Sequence, residues 1–450
     1  MEKKQRTSGK AKKGKKLPGI LLVCVAYVIS GAGIWLTITK QFSNNQSIKP
    51  KVPVMEIILN DVSMAEIQSG SKEERYEGNT VVLNGKEYGN VEIKGRGNSS
   101  WMADKKSFRL KFASKVDLLT LGKARKWALI GNFLDDSLMR NDLANYLARL
   151  VFDGYSLSGD FVKLVVDGEN YGLYYLTETV EIDKRKIDLR NDDGVIVEFD
   201  NAHCKGEEYW SETKTGNCLV LKDVVRDDIA EEVLTDFVRD YETLELVAKE
   251  GNYKKVKEIA DATSLAEYFI ISELTSNPDA YLTSWYWYRD GVEDEMKTKI
   301  AWDFDAAFGN NNWGEWPEEF YSPGTRMARM NMTMKKDEQR GACGGSLVVG
   351  QYIEGEVQSS MLFCDLLAIP EFREEVSEVY RLRVKGHEQE ILQYLIERKE
   401  YIMEVALEDH FVMGDFITEV NYLYWWMKNR LDYFSETFME HQMVMEYNVG

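Results

Sequence analysis

Between Val54 and Phe112 apolar and polar residues alternate in short runs: "VMEIIL", then "NTVVLNGKEYGNVEIKG", then "SFRLKF", where Phe108, Leu110 and Phe112 fall on one face. A period of two predicts strands, and Asn84-Gly85 between two such runs supplies the positive φ angles of a tight hairpin. The period then lengthens. In "DDSLMRNDLANYLARLVF", Leu138, Leu143, Tyr146, Leu147 and Leu150 recur at helical spacing. "FVKLVVDGENYGLYYLTETV" reads as a second hairpin turning at Asp167-Gly168, and "GVIVEFD" as a further strand.

After about residue 225 the helical period dominates. "DDIAEEVLTDFVRDYETLELVAKEG" is amphipathic, and "SLAEYFIISEL" opens with Ser264 and Glu267 in capping-box spacing. That helix should end near Asn277-Pro278, because proline disfavours helical geometry at the residue before it. "YLTSWYWYRD" and "KTKIAW" then predict a pair of strands, followed by a stretch from Asn310 to Gly350 without periodicity, and by helices rich in Leu, Tyr and Glu. No repeat of solenoid length is present. The expected fold class is α+β, with an antiparallel β-rich lobe over residues 54–225 and a mainly helical lobe over residues 226–450.

Charge divides the chain differently. Residues 1–50 hold ten Lys/Arg against Glu2, while the whole chain of 450 residues carries −19, so residues 51–450 carry −28. Such acidity excludes nucleic acid as the main partner. The basic tail, residues 1–16, precedes an uncharged run from Leu17 to Thr39, long enough to cross a membrane as a helix. By the positive-inside rule the N-terminus stays cytoplasmic and the main body is extracytoplasmic. The competing expectation is a signal sequence cleaved near Ala32, giving a secreted protein. Residues 40–53 read as a linker. Cys204, Cys218, Cys343 and Cys364 show no metal-ligand spacing, although an oxidising compartment permits a Cys204–Cys218 bridge.

Candidate chemistry gathers in "KIAWDFDAAFGNN", where a run of apolar residues ends in Asp303 and Asp305 around one Phe. Asp279 precedes the first strand of the expected pair and Asp303 ends the second, so an antiparallel hairpin would bring the three carboxylates to one open end. Carboxylates so placed repel each other unless a divalent cation or a proton offsets the charge, and Mg²⁺ suits a site completed by phosphate oxygens. A single Asp in such a place is more often a strand cap on a solvated rim. A cationic counterpart lies in "KGRGNSSWMADKKSFRLKF": Gly95 and Gly97 form a glycine loop, with Lys94 and Arg96 beside them and Lys105, Lys106, Arg109 and Lys111 after it. Taken alone, that is an ordinary turn flanked by a basic strand.

Five blocks, "IKGRGNSSW…KKSFRLKF", "WALIGNFLDDSLMRNDLA", "DGENYGLYYLTETVEIDKRKID", "NPDAYLTSWYWYRDG" and "KIAWDFDAAFGNN", follow one another in the order and spacing of the spore coat protein H (CotH) kinase family. The chain resembles that family over roughly residues 54–440, most strongly over 91–312. The resemblance implies an atypical protein-kinase-like fold that transfers the γ-phosphate of ATP, with Mg²⁺, to Ser or Thr of a protein substrate. It implies Asp279 as an acidic residue needed for activity, Asp303 as a metal ligand and Asp305 as a second or supporting ligand. Lys106 and Arg109 would reach the phosphates, and Gly95, Arg96, Gly97, Asn98 and Ser99 would cover them. Asn132, Arg140 and Asn141 would lie near the nucleotide, and Glu178 and Arg185 would orient the pocket, although Glu178 and Arg140 equally suit buried ion pairs.

Three positions depart from the family's wording: Ser284 where Asn is frequent, Ala301 before Trp302, and Thr179 in "TET". Ser284 matters most, because a weaker ligand lowers metal affinity. The expected function is therefore a membrane-anchored, Mg-dependent protein kinase. The alternatives are a catalytically inactive surface or spore-coat binding protein, and transfer of some other group from a nucleotide. An extracytoplasmic kinase also needs a compartment that supplies ATP.

Overall fold

The computed structural model describes residues 51–310 except 202 and 278, residues 352–353 and 357–358, and residues 362–435 except 413. The basic tail, the run 17–39, most of the linker, nearly all of the 310–350 stretch and residues 436–450 lie outside the described residues. Among the described residues no helix is long and apolar enough to cross a membrane.

The alternating segments form strands β1 (Val54–Ile58), β2 (Arg75–Leu83), β3 (Lys86–Arg96), β4 (Ser107–Asp117), β6 (Gly159–Val166) and β7 (Glu169–Glu178), and a strand that the alternation does not mark, β5 (Lys123–Ile130), joins them. They close into a barrel in the order β1-β2-β3-β4-β5-β7-β6. Both expected hairpins form, with Asn84 and Gly85 at φ 52° and 73° and Asp167 and Gly168 at φ 49° and 85°. Closure differs from the antiparallel expectation, because β1 pairs parallel to β6, Met55 facing Leu164. The interior is filled by the inward positions of each strand, among them Met55, Val91, Ile93, Phe108, Leu110, Trp127, Leu164 and Tyr174. Helix α1 (Met64–Ser69), with a capping box from Ser63 and Glu66, lies in the β1–β2 connection.

A second sheet follows, with β8 (Val195–Phe199), β9 (Trp210–Glu212), β10 (Cys218–Val224) and β11 (Trp285–Arg289) in the order β11-β8-β10-β9. Cys204 and Cys218 are joined by a disulfide. The helices are α2 (Arg140–Val151), α3 (Ala230–Lys249), α4 (Tyr253–Ile259), α5 (Ala262–Thr275), α6 (Leu362–Ala368), α7 (Pro370–Arg383), α8 (Glu388–Ala406) and α9 (Phe416–Tyr433); α3 packs directly on this sheet, while α2 lies against β6 and α8 against β7. One apolar core runs from Leu143 and Phe161 through Phe199, Phe237 and Phe269 to Phe363 and Leu423, joining the β-rich and helical parts. The chain is mixed α+β, β-rich first and helical afterwards, as the periodicity predicts.

Helix α5 starts earlier than its capping-box reading. Asp261 is the N-cap, its carboxylate accepting the Ser264 amide at 3.0 Å, while Glu267 instead accepts the Asp153 amide and pairs with Lys299. Nearly every residue of α5 is buried, so it is the central helix of its layer.

Candidate active site

Both acidic segments hang from the end of α5. After Thr275 the chain turns through Ser276 at φ 49°, and the Thr275 carbonyl accepts the Phe308 amide at 2.7 Å, which ties the 303–310 loop to the helix end where the Asp279 turn begins. In that turn the Leu282 and Thr283 amides both donate to the Asp279 carbonyl, at 3.1 and 3.0 Å. Tyr281 and Ser284 sit at φ 65° and 52°, and Asp303 at φ 67°. Each non-glycine residue held there costs on the order of 1–3 kcal/mol, and such positions concentrate at functional sites. Packing offsets the cost at Tyr281, whose ring contacts Tyr268, Trp285 and Phe363 with centroids 5.8, 5.6 and 4.7 Å away.

The pair of strands expected around these aspartates is not a ladder. Among the described residues it is reduced to a bridge between Tyr288 and Lys297, and 279–284 is a turn. Two interactions explain this. Backbone groups of the returning arm are taken by Ile259 and Asp261, each bonded to Met296. Thr298 replaces ladder bonds with its hydroxyl, accepting from Trp285 Nε1 at 2.8 Å and donating to the Tyr286 carbonyl at 3.0 Å. Strand β11 pairs instead with β8.

Asp279, Asp303 and Asp305 nevertheless share one electrostatic neighbourhood. Burial, then the Asp303 charge, pushes the Asp279 carboxyl up to about 7. Asp305 is raised well above the carboxylate range by burial, followed by Asp303, Asp279 and Asp135. Ser284 Oγ donates to Asp303 Oδ2 at 3.2 Å. Among the described residues no three Asp, Glu, His or Cys side chains form a ready-made metal cage.

The family-like block at 132–141 positions this acidic loop. Asn132, at φ 51°, donates from Nδ2 to the Leu138 carbonyl and accepts from Asn141 Nδ2 at 3.0 Å. Asn141 Oδ1 in turn accepts the amide of Phe304, between the two aspartates, at 2.9 Å. Asn310 closes the loop, donating to the carbonyls of Leu134 and Asp305, both at 2.6 Å. Arg140 is fully buried in an ion pair with Asp135, whose Oδ2 also accepts the Arg140 amide at 2.9 Å at the start of α2.

From the barrel, Arg96 reaches the acidic loop. Its guanidinium lies over the Trp302 ring, 4.7 Å from the centroid. Burial lowers its pKa, and the charges of Asp303, Tyr286, Asp305 and Glu198 pull the other way. Glu198 forms an ion pair with Lys222 at 2.7 Å. Arg109 shares the outer face of the barrel with Arg96, two register pairs away opposite Lys94, and is 3.6 Å from Glu92.

Other expected phosphate contacts are used elsewhere. Lys106 Nζ donates to the carbonyls of Trp101 and Ala103, holding its own loop. Lys105 is buried against Asp409 at 2.6 Å. Gly95 is in β3 rather than in a loop, and a Cβ there would lie 2.6 Å from the Trp101 ring, so packing accounts for this glycine. Gly97, at φ 87°, does turn the chain; the Asn98 side chain accepts from Lys72, and Ser99 opens a one-turn helix to Trp101. Glu178 is buried, bonded to Arg185, to the Tyr155 hydroxyl at 2.7 Å and to the Ser158 amide at 3.1 Å. For Glu178 and Arg140 the ion-pair reading matches the contacts.

Sequence reasoning missed Trp302, Asn310, Thr283, Asp200 and Asn201. Asp200 and Asn201 end "VIVEFDN" much as Asp303 ends its apolar run, which is the one signal that marks them. A family model described as CotH kinase protein matches residues 93–434, a span that contains Arg96, the 132–141 block and all three aspartates. Comparison with curated proteins finds no match.

Proposed function

The chain belongs to the CotH kinase family, and on that premise we propose that it is a Mg-dependent protein kinase that passes the γ-phosphoryl group of ATP to a Ser or Thr hydroxyl of another protein. The observation that carries this reading is that the Asp279 turn and the Asp303 loop are tied together, Ser284 to Asp303 and Phe308 to the end of α5, with the Arg96 guanidinium stacked over Trp302 beside them. Carboxylates in that relation gain from a divalent cation, and hard oxygen donors fit Mg²⁺. Asp303 and Asp305 would supply the protein oxygens for such an ion, which ordinarily keeps phosphate oxygens and water as its other ligands.

Asp303, with Asp305 behind it, would hold the ion. Bound there, Mg²⁺ supplies charge that offsets the phosphates. The Asp279 carboxyl, raised in the cation-free chain by burial and then by the Asp303 charge, would accept or orient the acceptor hydroxyl's proton. Arg96 would face the phosphate oxygens, with Arg109 next along the same face, while Asn132 and Asn141 hold the Asp303 loop in register. The same reading tethers the main body outside the cytoplasm through residues 17–39, and the Cys204–Cys218 bridge supports an oxidising compartment.

The test is incorporation of γ-labelled phosphate into a Ser-rich acceptor protein by the full chain. Label that depends on Mg²⁺ and disappears in Asp303→Asn is expected. No label with the wild type, or equal label with the variant, rejects the kinase. Ser284 favours a second reading, a binding protein without transfer, because its hydroxyl is already engaged with Asp303. Under that reading neither Mg²⁺-dependent ATP binding nor transfer of label occurs, and Ser284→Asn does not change this.

A further inference from the structure

The disulfide-closed loop 204–218 is joined to the Asp279 turn through Asp200 and Asn201, which lie at its base. Cys204 and Cys218 are both buried, and the segment between Asp200 and Cys218 is fixed by paired backbone bonds: the Cys204 amide donates to the Asp200 carbonyl at 3.1 Å and the Asp200 amide to the Cys218 carbonyl at 3.0 Å. Asn201 Oδ1 accepts the Cys218 amide at 2.7 Å. Two bonds then cross to the turn. The Asn201 amide donates to the Leu282 carbonyl at 3.1 Å, and the Thr283 hydroxyl donates to Asp200 Oδ1 at 3.1 Å. Leu282 and Thr283 are the residues whose amides close the turn onto Asp279, between the left-handed Tyr281 and Ser284.

A backbone held at left-handed angles persists only where its surroundings over-determine it. Here part of that determination comes from a loop whose ends are covalently joined. The far side of the same loop is anchored to α3, where Glu242 accepts the Lys214 amide at 2.8 Å and Glu245 accepts from Thr215 Oγ1 at 2.8 Å and Asn217 Nδ2 at 3.1 Å. The bridge therefore joins a rigid helix to the turn that presents Asp279.

We propose that Cys204–Cys218, acting through Asp200 and Asn201, is a redox-dependent positioning brace for the Asp279 turn, so that the acidic site is assembled in the oxidised chain and loosened in the dithiol chain. The inference rests on the reading of Asp279 and Asp303 as the functional site. The step is thiol–disulfide exchange. One cysteine thiolate attacks an external disulfide, the second displaces it from the mixed disulfide, and two electrons and two protons leave the cysteine pair to reduce that external disulfide to two thiols. An exported chain meets such oxidants as it folds, and a chain retained in a reducing compartment lacks the brace. Asp200, Asn201 and Thr283 act by positioning and do not touch the reacting groups.

Hydrogen–deuterium exchange on the full chain, oxidised and after treatment with a dithiol, tests this, with Mn²⁺ affinity as a probe of the acidic site. Reduction should speed exchange at the Leu282 and Thr283 amides on the order of tenfold, as expected for two lost hydrogen bonds. The barrel hairpin 159–178 should stay protected, and Mn²⁺ should bind more weakly by a similar factor. Thr283→Val should weaken Mn²⁺ binding with the disulfide intact, and a dithiol should have no added effect at this turn in the Cys204→Ser, Cys218→Ser chain. Unchanged protection at 282–283 after reduction overturns the brace, as does loss spread equally over 159–178. If the oxidised chain binds no Mn²⁺ while protection at 282–283 still follows the disulfide, the cation reading fails and the brace stands.

Discussion

Glu245 and Asp279 share a property rare among carboxyls, since burial pushes each up to about 7. Folding then favours the protonated form of both. The stability they allow is fully present below the unfolded value near pH 4, erodes as pH rises through 7, and levels off above it. For Glu245, near Asp365 and Glu242, the cost at pH 8 is on the order of 1–2 kcal/mol after allowing for partial exposure. Glu245→Gln should flatten that slope in thermal unfolding midpoints between pH 5 and 8; an unchanged slope would place its titration elsewhere. Asp279→Asn should raise the stability of the metal-free chain at pH 8 by about 1–2 kcal/mol while removing phosphoryl transfer, as happens when an active site stores unfavourable charge. Denaturant titration beside the labelling assay reads both. At this scale the sequence exposed Asp303 and Asp305 through their place after an apolar run and Asp279 through its place before one. It did not expose Asn141 or Asn310 as the side chains that hold them, because a single Asn bonding a remote amide leaves no periodic trace.

Elements were legible where one local rule decided them. Strands β1 to β4, β6 and β7 follow from alternation and from Asn-Gly and Asp-Gly turns, and α2 and α3 from helical spacing, whereas β5, "KARKWALI", does not alternate and carries no such signal. Closure of the barrel through parallel β1 and β6 depends on partners far apart in the chain, which pattern alone does not pair. The strand pair around Asp279 failed for a like reason, since Ile259 and Asp261 compete for its backbone and Thr298 substitutes for its ladder. Helix α5 shows how two capping signals three residues apart are resolved: Asp261 takes the cap and frees Glu267 for Lys299. Asp261→Ala should accordingly cost about 1 kcal/mol. Urea unfolding measures it, and a loss under a few tenths would return the cap to Ser264.

Across the whole of residues 52–435, charged clamps fasten the barrel to the helices. Lys105 Nζ, buried beside Tyr174, donates to Asp409 Oδ2 at 2.6 Å and to the Leu173 carbonyl at 2.7 Å, and Gly172 leaves the room that Asp409 fills. Arg398 of α8 joins Asp142 of α2 to Asp160 of β6, both at 2.7 Å. Removing one partner strands the other in the interior, so Asp409→Ala should cost about 3–5 kcal/mol, read as a lower urea midpoint. A neutral result would show that the clamp is solvated. Held by these clamps, the Arg96 face of the barrel stays against Trp302 and the acidic loop. The most direct measurement is calorimetric titration of the full chain with ATP, with and without Mg²⁺, in the wild type and in Asp303→Asn. The account predicts saturable binding that needs Mg²⁺ and is lost in the variant. Binding that ignores Mg²⁺, or survives Asp303→Asn undiminished, would contradict it.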